Sequence, residues 1–142
     1  MTRLLEFIAQ YLQVLYLNPA YRFTNSRSRG LADIDASITL SSERLTWVVS
    51  NDRGQFEISV APTRVGGEDD WFWLSVIRQY LGGGDDTEQG SILDQVSWLA
   101  TSLPAIEGLF ADDRRAAEVC AELNDLQRAN AYKNWGIPHP EA

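Results

Sequence analysis

A chain of 142 residues that is 44% hydrophobic and 11% aromatic predicts a single folded domain, residues 1–142, and excludes a disordered protein. The formal net charge of −8 argues against roles that need a basic surface, such as binding nucleic acid or an anionic membrane. Because Cys120 is the sole cysteine, and no apolar run reaches the ~18 residues of a membrane span, we expect a cytoplasmic protein without disulfides.

Residues 3–17 show the helical spacing of apolar side chains and predict an amphipathic helix. The dipeptide Asn18-Pro19 ends this helix, because the residue before a proline avoids the α-helical region. The predicted buried stripe consists of Leu4, Phe7 or Ile8, Tyr11, Leu12 and Leu15.

The next part of the chain alternates between apolar and polar residues and predicts antiparallel strands. Residues 21–24 alternate like a strand, and the polar residues 25–30 are expected to be an edge strand that fades into a loop. Residues 34–40 give the most regular alternation. Residues 45–60 predict a hairpin around the loop 51–54, where Gly54 allows a tight turn.

The hairpin spacing also predicts a register. It places Val49 opposite Phe56 and Trp47 opposite Ile58. A turn at residues 42–43 places Leu40 opposite Leu45, so that the apolar face continues onto the preceding strand. We therefore expect a meander of three to four strands with one apolar face and one polar face.

Residues 71–81 are compatible with a helix or, at their aromatic start, with a strand. The length of the segment and Gly82 favour a helix from about Leu74, with Asp69 and Asp70 as favourable charges at its N-terminus.

The remaining sequence predicts helices and a flexible tail at residues 136–142. Ser91 and Asp94 form a capping-box pattern at the start of a helix. Pro104 is expected to start a separate short turn, and Asp112 or Asp113 to open a last helix that ends near Asn134. The fold class is therefore α+β: an antiparallel meander with an N-terminal helix and three to four C-terminal helices packed on one face.

No pattern in the sequence indicates a catalytic, metal or cofactor site, and we expect none. The sole histidine, His139, lies between two prolines near the C-terminus. Cys120 falls on the apolar stripe of the last helix, which favours a packing role. The arginines Arg22, Arg27 and Arg29 favour protection of an edge strand over anion binding.

The short leading helix, the meander from Ile34 to Val60 and the acidic helical second half resemble small acidic immunity proteins of bacterial polymorphic toxin systems. The resemblance rests on size, charge and element order. It implies a non-enzymatic protein that binds and blocks a toxin domain, often a basic nuclease. A second resemblance is to acidic secretion chaperones, although those proteins return to strands after a central helix.

The charge distribution is compatible with the same expectation, because residues 65–142 carry fourteen acids against five Lys or Arg, although such a charge more often serves solubility alone. Such a surface attracts a basic partner. We expect a monomer or homodimer that binds a basic toxin or effector domain; a secretion chaperone or a small uncharacterised enzyme is the alternative. Whether later helices bury Trp71 and Trp73 is open. The predicted contact residues are Asp69, Asp70, Trp71, Trp73, Asp85, Asp86 and Glu88.

Overall fold

The computed structural model describes residues 1–29, 35–65, 67, 70–82 and 91–135. It confirms the α+β class, with one antiparallel sheet whose strands are neighbours in the order in which they follow along the chain. The sheet contains five strands where three to four were expected. The strands are β1 (Arg22–Arg29), β2 (Asp35–Ser41), β3 (Leu45–Asp52), β4 (Gln55–Pro62) and β5 (Phe72–Trp73).

The predicted apolar face of the sheet is the inner, helix-covered face. Trp47 and Val49 are fully buried, and Phe56 stacks on Phe7 with ring centroids 4.4 Å apart. On β2 and β3 the residues that alternate with the buried ones are half-buried on the opposite face of the sheet, as the sequence pattern predicts.

The predicted register, however, is wrong by two residues in both hairpins. Trp47 pairs with Val60, and it also pairs with Leu40. The centre of each hairpin turn lies one residue later in the chain than predicted, which shifts the pairing by two residues. The turns are Glu43–Arg44 and Arg53–Gly54. A shift of two residues keeps every side chain on its predicted face.

Local backbone chemistry explains the tighter turn between β3 and β4. Arg53 and Gly54 have φ angles of 54° and 90°, the left-handed conformation that lets a two-residue turn follow the twist of the strands. Asn51, a buried polar residue of the core, accepts a hydrogen bond of 2.7 Å from the Gly54 amide through its Oδ1 atom. This hydrogen bond from the Gly54 amide to the Asn51 side chain therefore stabilises a turn that begins two residues further along the chain than the predicted loop.

The edge strand β1 stays regular further into the polar segment 25–30 than the expected fading into a loop suggests. It pairs with β2 as far as Arg29, which lies opposite Asp35. The only irregularity in this pairing is a bulge between Phe23 and Asn25. Backbone pairing with a regular neighbour thus compensates for the polar sequence of this strand.

The N-terminal helical segment is divided into α1 (Thr2–Tyr11) and α2 (Gln13–Tyr16). The division falls at Leu12, whose φ and ψ of −112° and 35° are not helical. Leu12 and Leu15 are nevertheless fully buried, whereas Tyr11 is 37% exposed. The predicted stripe is therefore confirmed except at Tyr11.

The uncertain segment 71–81 contains both of the structures that its sequence allowed. Phe72 and Trp73 form β5, and the helix α3 (Leu74–Gly82) follows without a gap. Phe72 pairs with Val60 and is fully buried, as are Leu74 and Ile77 of the helix.

The two last helices are α4 (Ile92–Leu109) and α5 (Asp113–Trp135). The predicted capping box is present at the start of α4, where Ser91 and Asp94 exchange hydrogen bonds of 3.0 and 3.2 Å. The expected break at Pro104 is wrong, because α4 continues through it. Pro104 is exposed, while Leu103 and Ile106 beside it are buried, so packing outweighs the loss of one helical hydrogen bond.

Candidate functional site

Two large aromatic side chains are exposed at the edge strand β5, one just before the strand and one within it. Trp71 is 39% exposed and Trp73 is 47% exposed, whereas Phe72 between them is fully buried. The alternation of a strand explains this, because Phe72 lies opposite Val60 on the inner face and Trp73 lies opposite Ser59 on the outer face. Burial of both tryptophans, which the sequence left open, is therefore excluded.

The outer face of the sheet continues from Trp73 as a row of uncharged side chains. The row crosses all five strands as Trp73, Ser59, Val48, Thr39 and Asn25, each paired with the next. At a strand spacing of ~4.8 Å it is roughly 19 Å long. We call these five residues the outer-face row; Ser59, Val48 and Thr39 are half-buried.

Hydroxyl groups that hydrogen-bond to one another lie beside the outer-face row. The hydroxyl oxygens of Thr24 and Ser41 are 2.9 Å apart, and so are those of Thr46 and Thr63. In each pair one hydroxyl donates to the other, and the Thr63 hydroxyl also donates to the Ser42 carbonyl oxygen. The outer-face row is thus an uncharged strip with Trp73 at one end, on a face that also carries Asp35, Glu57, Arg22 and Arg27.

Asp70 holds the chain immediately before the tryptophans in place. Its Oδ1 accepts a hydrogen bond of 2.8 Å from the side-chain amide of Asn124 on α5, and its Oδ2 accepts one of 2.7 Å from the Gly67 amide. The expectation that Asp70 stabilises a helix N-terminus is wrong, because α3 begins only at Leu74. Asp70 therefore holds β5 in position. Because both of its carboxylate oxygens accept hydrogen bonds within the protein, it is less available for contact with a partner.

The other acidic residues of the predicted contact set, Asp69, Asp85, Asp86 and Glu88, lie outside the described residues. Their proximity to Trp71 and Trp73 stays a prediction. His139 and the expected tail at residues 136–142 lie outside them too.

The acids of α5 engage in surface ion pairs. Arg115 lies 3.0 Å from Glu118 and 3.8 Å from Glu122, and Tyr80 of α3 donates a hydrogen bond to Glu122. The hydrogen bond to Glu118 raises the pKa of Arg115, and desolvation followed by the Glu122 contact raises the pKa of Tyr80. Because these groups are exposed, the pairs add little to stability, and the arginines partly offset the negative charge of the acids.

Cys120 has the packing role that its position predicted. Its side chain is 4% exposed, and burial, assisted by the charge of Asp70, raises the pKa of its thiol to about 11. A thiol with this pKa is almost wholly protonated at neutral pH and is a poor nucleophile.

The grooves of the described surface have mixed linings. One of about 640 Å³ lies beside the β2–β3 turn and is lined in part by Arg22, Glu43, Arg44 and Glu107. Two arginines and two glutamates thus share this groove. Among the residues with described positions, no group of three or more His, Cys, Asp or Glu could hold a metal ion.

In the part of the chain that the structure covers, no helix is both long enough and apolar enough to cross a membrane. Comparison with known proteins found no matching family model, curated protein or solved structure. The candidate site is therefore defined by the geometry of its residues and not by likeness to a known protein.

Sequence reasoning missed two parts of this site. The outer-face row could have been found, since Thr39, Val48 and Ser59 occupy the polar positions of the same alternation that predicted the core. Asn124 could not, because the residue that it contacts is 54 positions away and no local pattern links the two.

Proposed function

We propose that this protein is a non-enzymatic, cytoplasmic binding protein of the immunity type, which docks on a toxin domain and blocks it. The observation that carries this proposal is the exposure of Trp71 and Trp73 on either side of a fully buried Phe72. Leaving both indoles in contact with water costs free energy that burial would recover. Their exposure therefore favours a role in contact with another molecule.

The position of the tryptophans also supports a rigid contact surface. The buried side chain of Phe72 fixes β5 to the core. The hydrogen bond between Asp70 and Asn124 fixes the chain just before Trp71 to α5. A preorganised aromatic side chain loses little conformational entropy on binding, which is why Trp is enriched among the residues that dominate binding energy. The neutral outer-face row provides a flat area beside Trp73 for the rest of an interface.

The charge of the chain favours a basic partner. The net charge is −8, although it does not come from α5, where Glu118 and Asp125 are each paired with an arginine. Attraction of this kind accelerates encounter with a basic domain and weakens as salt is added.

The test is site-specific photo-crosslinking in the native host. A photoreactive amino acid replaces Trp73, which is 47% exposed, or Leu93 on α4, which is 46% exposed and serves as the matched control. We expect a discrete adduct with a second protein from position 73 and none from position 93. No adduct from position 73, or equal adducts from both positions, would contradict the proposed surface.

The inhibitory role is tested with the partner identified by that adduct. Expression of the partner alone should arrest growth, and coexpression of this protein should restore it. Substitution of Trp73 by alanine should abolish the rescue while leaving the protein folded. A harmless partner that needs this protein for export would instead establish the chaperone alternative.

A further inference from the structure

The other edge of the sheet, formed by β1, is a second candidate for partner contact. β1 is eight residues long, against two for β5, and its pairing with β2 is regular from Asn25 to Arg29. As an edge strand it has backbone N–H and C=O groups on one side that no neighbouring strand uses. This side is long enough to pair with a further strand.

The helical layer does not cover β1. All side chains from Arg22 to Ser28 are exposed, including those opposite buried residues of β2. Phe23 is 58% exposed although its partner Leu40 is 1% exposed, and Ser26 is exposed opposite the buried Ile38. The strand is therefore accessible from its edge and from both faces.

The charge of β1 is opposite to that of the whole chain. The strand contains three arginines and no acid, in a protein with a net charge of −8. Arg22 and Arg27 lie on the same face, opposite Ser41 and Ser37, and neither forms a salt bridge with a described residue. A carboxylate brought alongside would meet these guanidinium groups without displacing an ion pair formed within the described part of the chain.

Two other occupants fit this edge less well. A second copy of β1 would bring arginines close to arginines, which disfavours pairing between copies. A nucleic acid would meet the three arginines of β1 but would be repelled by the net charge of −8.

We propose that β1 binds an extended peptide segment with Asp or Glu at alternate positions, which adds to the sheet as a sixth strand. Backbone hydrogen bonds along Asn25–Arg29 supply the pairing, and the acids of the peptide face Arg27 and, beyond the bulge, Arg22. This inference goes beyond the proposed function and is independent of it, because it concerns the opposite edge of the sheet from Trp73.

The test uses a blocked ten-residue peptide that alternates Glu with Thr or Val, and a control peptide in which Gln replaces each Glu. Binding is followed by NMR on the isotope-labelled full chain. We expect saturable shifts for the Glu peptide and slowed amide hydrogen exchange within Asn25–Arg29, with much weaker effects for the Gln peptide. The substitution Arg27→Glu should weaken binding by about fivefold or more, as loss of one ion pair and its replacement by repulsion imply.

Arg114→Glu is the matched control, since it makes the same charge change at an exposed position on α5. It should leave peptide binding unchanged. The proposal is overturned if the Glu peptide does not bind at about millimolar concentration, a very weak affinity. Equal binding of both peptides, binding without slowed exchange in β1, or tighter binding of a single-stranded oligonucleotide to the same residues would also overturn it. None of these outcomes depends on Trp73, so failure here would leave the proposed function standing.

Discussion

The side-chain amide of Asn124 donates a hydrogen bond of 2.8 Å to Asp70, joining α5 to the chain immediately before the exposed tryptophans. The contact is half-buried, and the other carboxylate oxygen of Asp70 is used by the Gly67 amide. The last helix therefore helps to set the position of β5, although the two elements are far apart in sequence.

Replacing Asp70 by alanine should lower the free energy of unfolding by about 1–2 kcal/mol, because the Asn124 amide and the Gly67 N–H both lose their acceptor. Chemical denaturation of Asp70→Ala, Asn124→Ala and the double variant measures the coupling, which should be about 1 kcal/mol. Asp125→Ala is the control: its carboxylate is 76% exposed in a surface pair with Arg128, and it should change stability by less than about 0.5 kcal/mol. Additive losses would show that Asp70 and Asn124 do not act together.

Two tryptophans on opposite faces of the sheet should respond very differently to substitution. Trp47 is fully buried, and its Nε1 donates a hydrogen bond of 3.4 Å to the Tyr21 hydroxyl, so Trp47→Ala should cost about 3–5 kcal/mol. Trp73→Ala should cost less than about 1 kcal/mol, since the side chain is 47% exposed. Urea denaturation measures both, with Trp47→Phe as a milder variant if the alanine variant does not fold. Similar losses at the two positions would refute the assignment of the faces.

The alternation of residues was sufficient to predict which face of each strand is buried but not the strand register. The face on which a side chain lies depends only on whether its position within the strand is odd or even. The apolar residues from Leu45 to Val60 show this alternation clearly. The register depends on where the chain turns, and in the β3–β4 hairpin the left-handed backbone of Arg53 and the side chain of Asn51 decide this. A non-glycine residue with positive φ has no reliable sequence signature.

Local rules also failed where tertiary packing dominates. Pro104 usually indicates a helix start or break, yet Leu103 and Ile106 on either side of it are buried in the core, and α4 runs through. The pair Asp69-Asp70 matched the charge pattern of a helix N-terminus, but Asp70 is held by Asn124. In both cases the deciding partner is distant in sequence, which a local pattern cannot encode.

Two glycines should respond in opposite ways to substitution by alanine. Gly54 has a φ of +90°, so alanine there would be strained and should cost roughly 1–2 kcal/mol, even though no atom lies within 4 Å of the added Cβ. Gly108 lies within α4 and also has open space around a new Cβ, so alanine should stabilise the protein by roughly 0.5–1 kcal/mol. Thermal and urea denaturation of the two variants measure the difference. A neutral Gly54→Ala variant would show that the β3–β4 turn does not require the left-handed conformation.

The buried thiol of Cys120 should make the protein less stable at alkaline pH. Its pKa is about 11 in the folded chain against an ordinary value of 9.0, so between these values the folded state keeps a proton that the unfolded state has released. The unfolded chain then binds fewer protons, and the free energy of unfolding falls as pH rises from about 9 to 11, by about 2–3 kcal/mol in total. Below pH 9 the contribution is fully present.

Cys120→Ala isolates this contribution, because Tyr21 and Tyr80, whose pKa values are also raised first by desolvation, still titrate in the variant. We expect the decline in the free energy of unfolding between pH 9 and 11 to be shallower in Cys120→Ala than in the parent. Ellman's reagent at pH 8 should react slowly with the folded parent and rapidly in urea. Fast reaction of the folded protein, or identical pH profiles for the two proteins, would mean that Cys120 is accessible and not part of the core.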